Sequence, residues 1–175
     1  GNGYRSLILS DNTFSYPFLR LQTNLGIFRY TNLYTEFMDI RNNQLSIIDG
    51  YQGWSRKYMS LHFLECEIND RIKIGVFESI IYAENHAPGV SSLDINYLNP
   101  IIFYRPVEYS LGSPDNALIG IDLKINTFKN QFLYAQLILD EFTLEEMKSN
   151  NGYWANKYGY QIGYKFLDFL DVIGL

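Results

Sequence analysis

Two runs of alternating residues between positions 116 and 142, NALIGIDLKINTFKNQFLYAQLILDEF, constrain this chain more than any other feature. Apolar side chains occupy every second position from Ala117 to Ile125, and the pattern restarts from Leu133 to Leu139. A period of two is typical of an extended strand with one apolar face. The sequence therefore predicts a hairpin with arms of about ten residues, close to the ~9–11 residues that cross a bilayer at a tilt.

Other segments repeat this design. Residues 19–28 and 157–166 alternate in the same way, and so do residues 71–77. Glu78 then falls in phase with the apolar set, which predicts a β-bulge or a position at the rim of the sheet. The first residues, YRSLILS at 4–10, are interpreted as a further strand.

The connections between the predicted strands differ in length. Asn69-Asp70 and residues 127–130 predict short turns, which alternate with much longer polar connections. If the strands run up and down in sequence, the short turns lie at one end of the sheet and the long loops at the other, as in outer-membrane barrels. The predicted long loops cover about residues 33–57, 84–116 and 142–156. The fold class is therefore all-β, an antiparallel up-and-down meander of about eight strands in a single domain spanning residues 1–175.

Composition excludes several classes of function. The formal net charge is −5 and no block of Lys or Arg occurs, which argues against nucleic acid as a partner. A single cysteine, Cys66, excludes an internal disulfide and a cysteine zinc site. No apolar stretch is long enough for a transmembrane helix.

Catalytic and metal chemistry find little support in the sequence. His62 lies in a predicted strand and His86 in a loop, with no second histidine at ligand spacing, so neither a metal nor a cofactor is predicted. Carboxylates that a sugar hydrolase would need are scattered along the chain, and no spacing pairs them. These carboxylates are Glu78, Glu84, Asp94 and Glu108. The chain is predicted not to be an enzyme.

Alternation alone leaves open what the apolar face contacts. Aromatic residues make up 17% of the chain, with 15 tyrosines, and outer-membrane barrels carry tyrosine girdles at both membrane interfaces. A soluble β-protein can also be rich in tyrosine, and apolar-in and apolar-out arrangements produce the same pattern. The membrane interpretation requires Ile119, Ile121, Leu133 and Leu137 to point outward, with a polar opposite face that includes Arg20, Gln22, Asn24, Asp122, Lys124, Gln136, Lys157 and Gln161.

A family resemblance bears on that choice. The segments NPIIFYRPVEYSLGSPDNALIGIDLK, FLYAQLILDEF and NGYWANKYGYQIGYK are similar to the middle of the Wzi-like capsule-assembly family. LRLQTNLGIFRYTNLYTEF and KYMSLHFLECEINDRIKIGVFESIIYAE match it in the same order. The chain looks closest to the branch that includes the gliding-motility protein RemB, and the resemblance covers nearly all of it.

The resemblance implies a β-barrel in the outer membrane of a Gram-negative bacterium, of which this chain would be an internal piece. It also implies a non-enzymatic role in attachment or assembly of capsular polysaccharide at the cell surface, or in gliding motility. The expected partners are surface polysaccharide, outer-membrane lipid and the missing remainder of the barrel. Two alternatives stay open: a soluble β-sandwich or barrel that binds carbohydrate or protein, and an outer-membrane pore.

Sugar binding relies on aromatic faces and planar polar groups. On that physical basis, the candidate ligand-binding residues are those of the long loops together with two tryptophans: Trp54, Tyr97, Tyr104, Arg105, Glu108, Asp115, Asn116 and Trp154. In the alternative interpretation, the aromatic residues belong to a membrane-interface girdle and the charged ones pair with each other.

Overall fold

The computed structural model describes residues 6–9, 15–39, 46–48, 51–53, 55–83, 95–100, 116–140 and 157–167. Within these ranges the chain forms nine β-strands and one short 3-10 helix. The strands are β1 Phe18–Leu25, β2 Phe28–Asp39, β3 Ser46–Ile48, β4 Tyr51–Gly53, β5 Ser55–Glu67, β6 Ile72–Ala83, β7 Asn116–Phe128, β8 Gln131–Asp140 and β9 Lys157–Phe166, and the 3-10 helix is Ile95–Leu98.

Seven of the strands form one sheet. They lie in the order β1-β2-β5-β6-β7-β8-β9, and each pair of neighbours is antiparallel. Strands β3 and β4 pair only with each other. Among the described residues β1 and β9 are not partners, so the sheet is open. The predicted all-β, up-and-down meander is confirmed, with seven strands in the main sheet instead of about eight.

Two predicted boundaries differ from the structure. Leu7 to Leu9, within the strand predicted for residues 4–10, form a bend. Strand β2 continues to Asp39 and β5 begins at Ser55, so the long connection predicted for residues 33–57 is shorter and contains the β3–β4 hairpin. Alternation fails in the second half of β2 because polar Glu36 shares a face with Tyr34. In that part of β2, hydrogen bonds to β1 and β5 stabilise the extended conformation.

The turns follow local backbone chemistry. In the predicted Asn69-Asp70 turn, Asn69 Oδ1 accepts hydrogen bonds from the backbone N–H groups of Arg71 and Ile72, each at 2.9 Å. Gly26 has a φ of 59° between β1 and β2, and Asn130 a φ of 61° between β7 and β8. Both residues belong to types that tolerate the left-handed region, so the sequence permits these tight turns.

Glu78 occupies a regular position in its strand. It lies opposite His62 on β5 and opposite Ile119 on β7, with an unbroken register on both sides. The predicted bulge or rim position at Glu78 is therefore wrong, because Glu78 lies in the middle of β6 and a buried partner satisfies its carboxylate without a break in the ladder. The register shifts instead between Asn126 and Phe128, next to the β7–β8 turn.

The two faces of the main sheet differ as the alternation predicts. We call the face that carries Ile119, Ile121 and Leu137 the apolar face, and the face that carries Gln136 the polar face. Ile119, Ile121 and Leu137 are 46%, 48% and 39% exposed, and Leu133 is half-buried. These side chains line an open surface and do not meet at the centre of a closed globule.

Candidate functional site

A hollow of about 410 Å³ lies on the polar face. Side chains from β1, β2, β5, β6 and β8 line it, together with residues that precede β1. Its lining combines aromatic rings, arginines, a carboxylate and a hydroxyl, which is the mixture that small-molecule sites present. The lining residues that the site chemistry depends on are Arg20, Arg29, Thr31, Phe63, Glu65 and Phe77.

Aromatic rings on the polar face lie against glycines of the next strand. A methyl group at Gly75 would overlap the ring of Phe63, and one at Gly120 would overlap the ring of Phe77. Because a glycine has no side chain, each ring can rest on the neighbouring backbone. Phe63 and Phe77, with centroids 6.4 Å apart, therefore form an aromatic floor. Tyr134 on β8 lies over Gly163 on β9 in the same way.

The two arginines that line the hollow differ in their partners. Arg29 Nη1 lies 3.0 Å from Glu65 Oε1, and Arg29 Nε donates to Asn24 Oδ1 at 3.4 Å. Arg20 Nη2 donates to the neutral Gln22 Oε1 at 2.6 Å. Among the described residues, Arg20 has no carboxylate partner. The guanidinium of Arg20 is therefore the uncompensated charge of the hollow.

The segment before β1 covers part of the polar face. The backbone N–H of Leu7 donates to Gln136 Oε1 at 2.7 Å, and Gln136 Nε2 donates to Asp122 Oδ2 at 3.4 Å. Gln136 and Asp122 lie opposite each other on β8 and β7 and are both buried. This contact positions Ser6 and Ile8 as walls of the hollow.

A second polar site lies on the apolar face. Residues 95–100, which we call the strap, cross β2, β5 and β6 and place Tyr97 against Tyr82 with ring centroids 4.7 Å apart. Three successive strap carbonyls accept hydrogen bonds from side chains of the sheet. They are Leu98 from Tyr34 at 3.1 Å, Asn99 from His62 at 3.0 Å and Pro100 from Tyr30 at 2.8 Å.

His62 forms the centre of this second site. Its ring is fully buried, Nδ1 lies 3.2 Å from Glu78 Oε1, and Nε2 faces the carbonyl of Asn99. Both contacts are hydrogen bonds only when the ring and the carboxyl group together hold two protons, because neutral imidazole has one N–H. Ser60, two residues before His62, has a buried Oγ without a hydrogen-bond partner among the described residues, so it does not form a nucleophile–base pair with the ring. The arrangement holds the strap in place.

The structure places two of the eight predicted ligand-binding residues. Tyr97 is only 1% exposed and packs in the aromatic cluster under the strap, so its ring is not available to a ligand. Asn116 begins β7 opposite Ile81, and its buried Oδ1 has no hydrogen-bond partner in the part of the chain that the structure describes. The two residues do not form one site. The other six lie outside the described residues: Trp54, Tyr104, Arg105, Glu108, Asp115 and Trp154.

The sequence analysis identified the polar face but not the two clusters on the sheet. Arg20 and Gln136 belong to the predicted polar face. Phe63 and Phe77 lie on the same face, but they are apolar and so do not follow its polar pattern. The contact between His62 and Glu78 was missed, although a signal exists. The two residues lie eight positions before and after Asp70, so a tight turn there places them opposite each other.

Comparisons with protein-family models, with curated proteins and with solved structures find no match to this chain. The described residues include no helix with the length and apolar character needed to cross a membrane. In the same ranges, no group of three or more His, Cys, Asp or Glu side chains could hold a metal ion. The fold and the geometry of the sites are therefore the basis for a functional conclusion.

Proposed function

We propose that this chain forms part of the wall of a β-barrel in the outer membrane of a Gram-negative bacterium. The observation that carries the proposal is the segregation of the two faces in β7 to β9. There the apolar face exposes Ile121, Tyr160 and Ile162 by 48%, 71% and 69%, while the polar face holds buried Asp122 and Gln136. Burial of these exposed apolar side chains against the acyl chains of lipids would stabilise the protein.

The open edges of the sheet support the same proposal. Strands β1 and β9 each present one row of backbone N–H and C=O groups that have no strand partner among the described residues. In a bilayer such groups cost several kcal/mol each, ~2–7 by transfer measurements, so a spanning sheet must close. The remainder of the barrel pairs along these two edges, and outer-membrane lipid contacts the apolar face of β7 to β9.

The proposed role is binding without turnover: attachment or assembly of capsular polysaccharide at the cell surface, or a role of the same kind in gliding motility. The hollow on the polar face supports this role because it combines an aromatic floor with hydrogen-bonding and charged groups. The resemblance to the Wzi-like family points in the same direction.

The first experiment is size-exclusion chromatography of the purified chain with and without detergent. We expect a monodisperse sample only with detergent, because exposed apolar area of this extent drives association in water. The second is binding of neutral and acidic polysaccharides in detergent. A monodisperse sample in plain buffer contradicts the membrane assignment, and failure of every polysaccharide to bind contradicts the binding role.

A further inference from the structure

The hollow on the polar face carries one net positive charge in a chain with a net charge of −5. Its charged lining residues are Arg20, Arg29 and Glu65, and Glu65 compensates Arg29 at 3.0 Å. The remaining N–H groups of Arg20 beyond its bond to Gln22 have no acceptor among the described residues. A planar guanidinium with free donors binds a carboxylate through two parallel hydrogen bonds.

The aromatic floor adds a second requirement for the ligand, which must present an apolar surface to the ring. Ring atoms Cε2 and Cζ of Phe63 lie against Gly75, and the half-buried side chain leaves part of the ring open to the hollow. Phe77 beside it is buried, so Phe63 is the accessible platform. A ring with one open apolar side stabilises a flat, C–H-rich surface such as that of a pyranose. Thr31, on the adjacent strand opposite Phe63, offers a hydroxyl group to the same space.

We propose that the hollow binds one carboxylate-bearing sugar residue, a uronic acid, within a longer polysaccharide. Arg20 pairs with the carboxylate, Phe63 lies under the pyranose ring, and Thr31 contacts a hydroxyl group. This inference rests on the proposed function and names its ligand class. A uronate carries a single negative charge that matches the one uncompensated guanidinium, whereas a phosphate monoester carries about −1.5 to −2 at pH 7. A hollow of about 410 Å³ falls within the range of small-ligand sites.

The test is isothermal titration of the whole chain in detergent with matched saccharides. Trigalacturonate is the acidic probe, galactotriose is the neutral one, and galactose 6-phosphate tests the alternative anion. We expect binding in the order trigalacturonate, galactotriose, galactose 6-phosphate. Equal binding of the acidic and neutral trisaccharides, or preference for the phosphate, overturns the inference. Absence of binding by all three probes overturns it as well.

The variant Arg20→Gln isolates the charged contact. Arg20 is exposed on an edge strand, so its substitution leaves folding unchanged within ~0.5 kcal/mol. We expect a loss of at least tenfold in affinity for trigalacturonate, which corresponds to about 1.4 kcal/mol, and no change for galactotriose. Arg20→Lys retains the charge without the paired donors and loses less. Unchanged affinity in Arg20→Gln overturns the inference.

Lys124→Gln is the matched control. It removes one positive charge from the same face, but Lys124 lies over the ring of Phe132, 4.4 Å from its centroid, and does not line the hollow. We expect its affinity for trigalacturonate to equal that of the unmodified chain, and an equal loss in both variants overturns the inference. If neutral polysaccharides bind as well as acidic ones, this inference fails and the proposed function stands. Size-exclusion chromatography in plain buffer tests the membrane part of the proposed function, and its result does not depend on Arg20.

Discussion

The apolar face of the sheet has two halves with opposite surroundings. On β2, β5 and β6, which we call the covered half, the strap covers the part of the face where Ile80 is 1% exposed, whereas Ile74 and Val76 on β6 are 37% and 41% exposed. On β7, β8 and β9, which we call the open half, Ala117 at the start of β7 packs against the aromatic cluster under the strap, but Ile121 is 48% exposed. Strands β6 and β7 pair in register where the two halves meet, so the same face of the sheet continues from one half to the other. The alternation therefore predicts which side of a strand is apolar, whereas the partner that covers it depends on the rest of the chain.

The covered half differs from the open half in having polar residues on the apolar face. Asn32, His62 and Glu78 lie side by side on three neighbouring strands, and all three are buried. Against acyl chains such groups would have no hydrogen-bond partners beyond each other. The strap supplies the carbonyl of Asn99 and excludes surrounding molecules from the cluster. The open half has no comparable row: in the same register, Ile119 and Leu139 follow Glu78.

The largest effect is expected from His62→Phe in the covered half. This substitution keeps a ring of similar size but removes the contacts to Glu78 and to the carbonyl of Asn99. A buried carboxyl group and a buried carbonyl that lose a partner cost about 3 kcal/mol of unfolding free energy. Urea unfolding in detergent, followed by tyrosine and tryptophan fluorescence, measures the loss.

The double variant His62→Phe with Glu78→Leu is the control for this prediction. Replacement of both polar partners by apolar groups is close to neutral in general, so most of the lost stability should return. A double variant as unstable as the single one would show that packing around the His62 ring, and not the polar contact, stabilises the covered half.

The second prediction concerns the open half. Ile121→Lys places a charge in the middle of the exposed apolar surface, and a lipid-facing lysine at mid-depth destabilises a barrel by about 2 kcal/mol. The matched control is Gln22→Lys, which adds the same charge to an exposed position on the polar face. Urea unfolding in lipid vesicles measures both. If the two variants agree within ~0.5 kcal/mol, the open half faces water and not lipid.

Much of the fold was predictable from local patterns. The β7–β8 hairpin follows from strict alternation and from a polar turn, and the β5–β6 hairpin follows from Asn69, whose side chain stabilises the turn. The bend at Leu7 to Leu9 was not predictable, because it is held by long-range contacts such as the hydrogen bond from Leu7 to Gln136. That partner lies 129 residues along the chain, so no local pattern reports it.

The sites were less predictable than the strands. Arg20 belongs to a face that the alternation identifies, but its uncompensated charge becomes visible only when Glu65 lies beside Arg29. Tyr97 was assigned to ligand binding because it is aromatic and lies in a long connection. The structure shows that the same property buries it against Tyr82, since an aromatic ring in a loop also packs onto an exposed apolar face.

The smallest effect is expected from removal of single hydroxyl groups, and it compares the two halves most directly. Tyr34→Phe removes the donor to the carbonyl of Leu98 beneath the strap, whereas Tyr160→Phe changes a ring that is 71% exposed on the open half. A lost hydrogen bond of this kind costs about 1 kcal/mol, and the exposed change stays within ~0.5 kcal/mol. Urea unfolding and hydrogen exchange of the strap amides measure both. Faster amide exchange of residues 95–99 in Tyr34→Phe alone supports the division into a covered and an open half. Equal effects of the two substitutions would mean that the strap does not depend on contacts from the sheet, and that the polar cluster is covered for another reason.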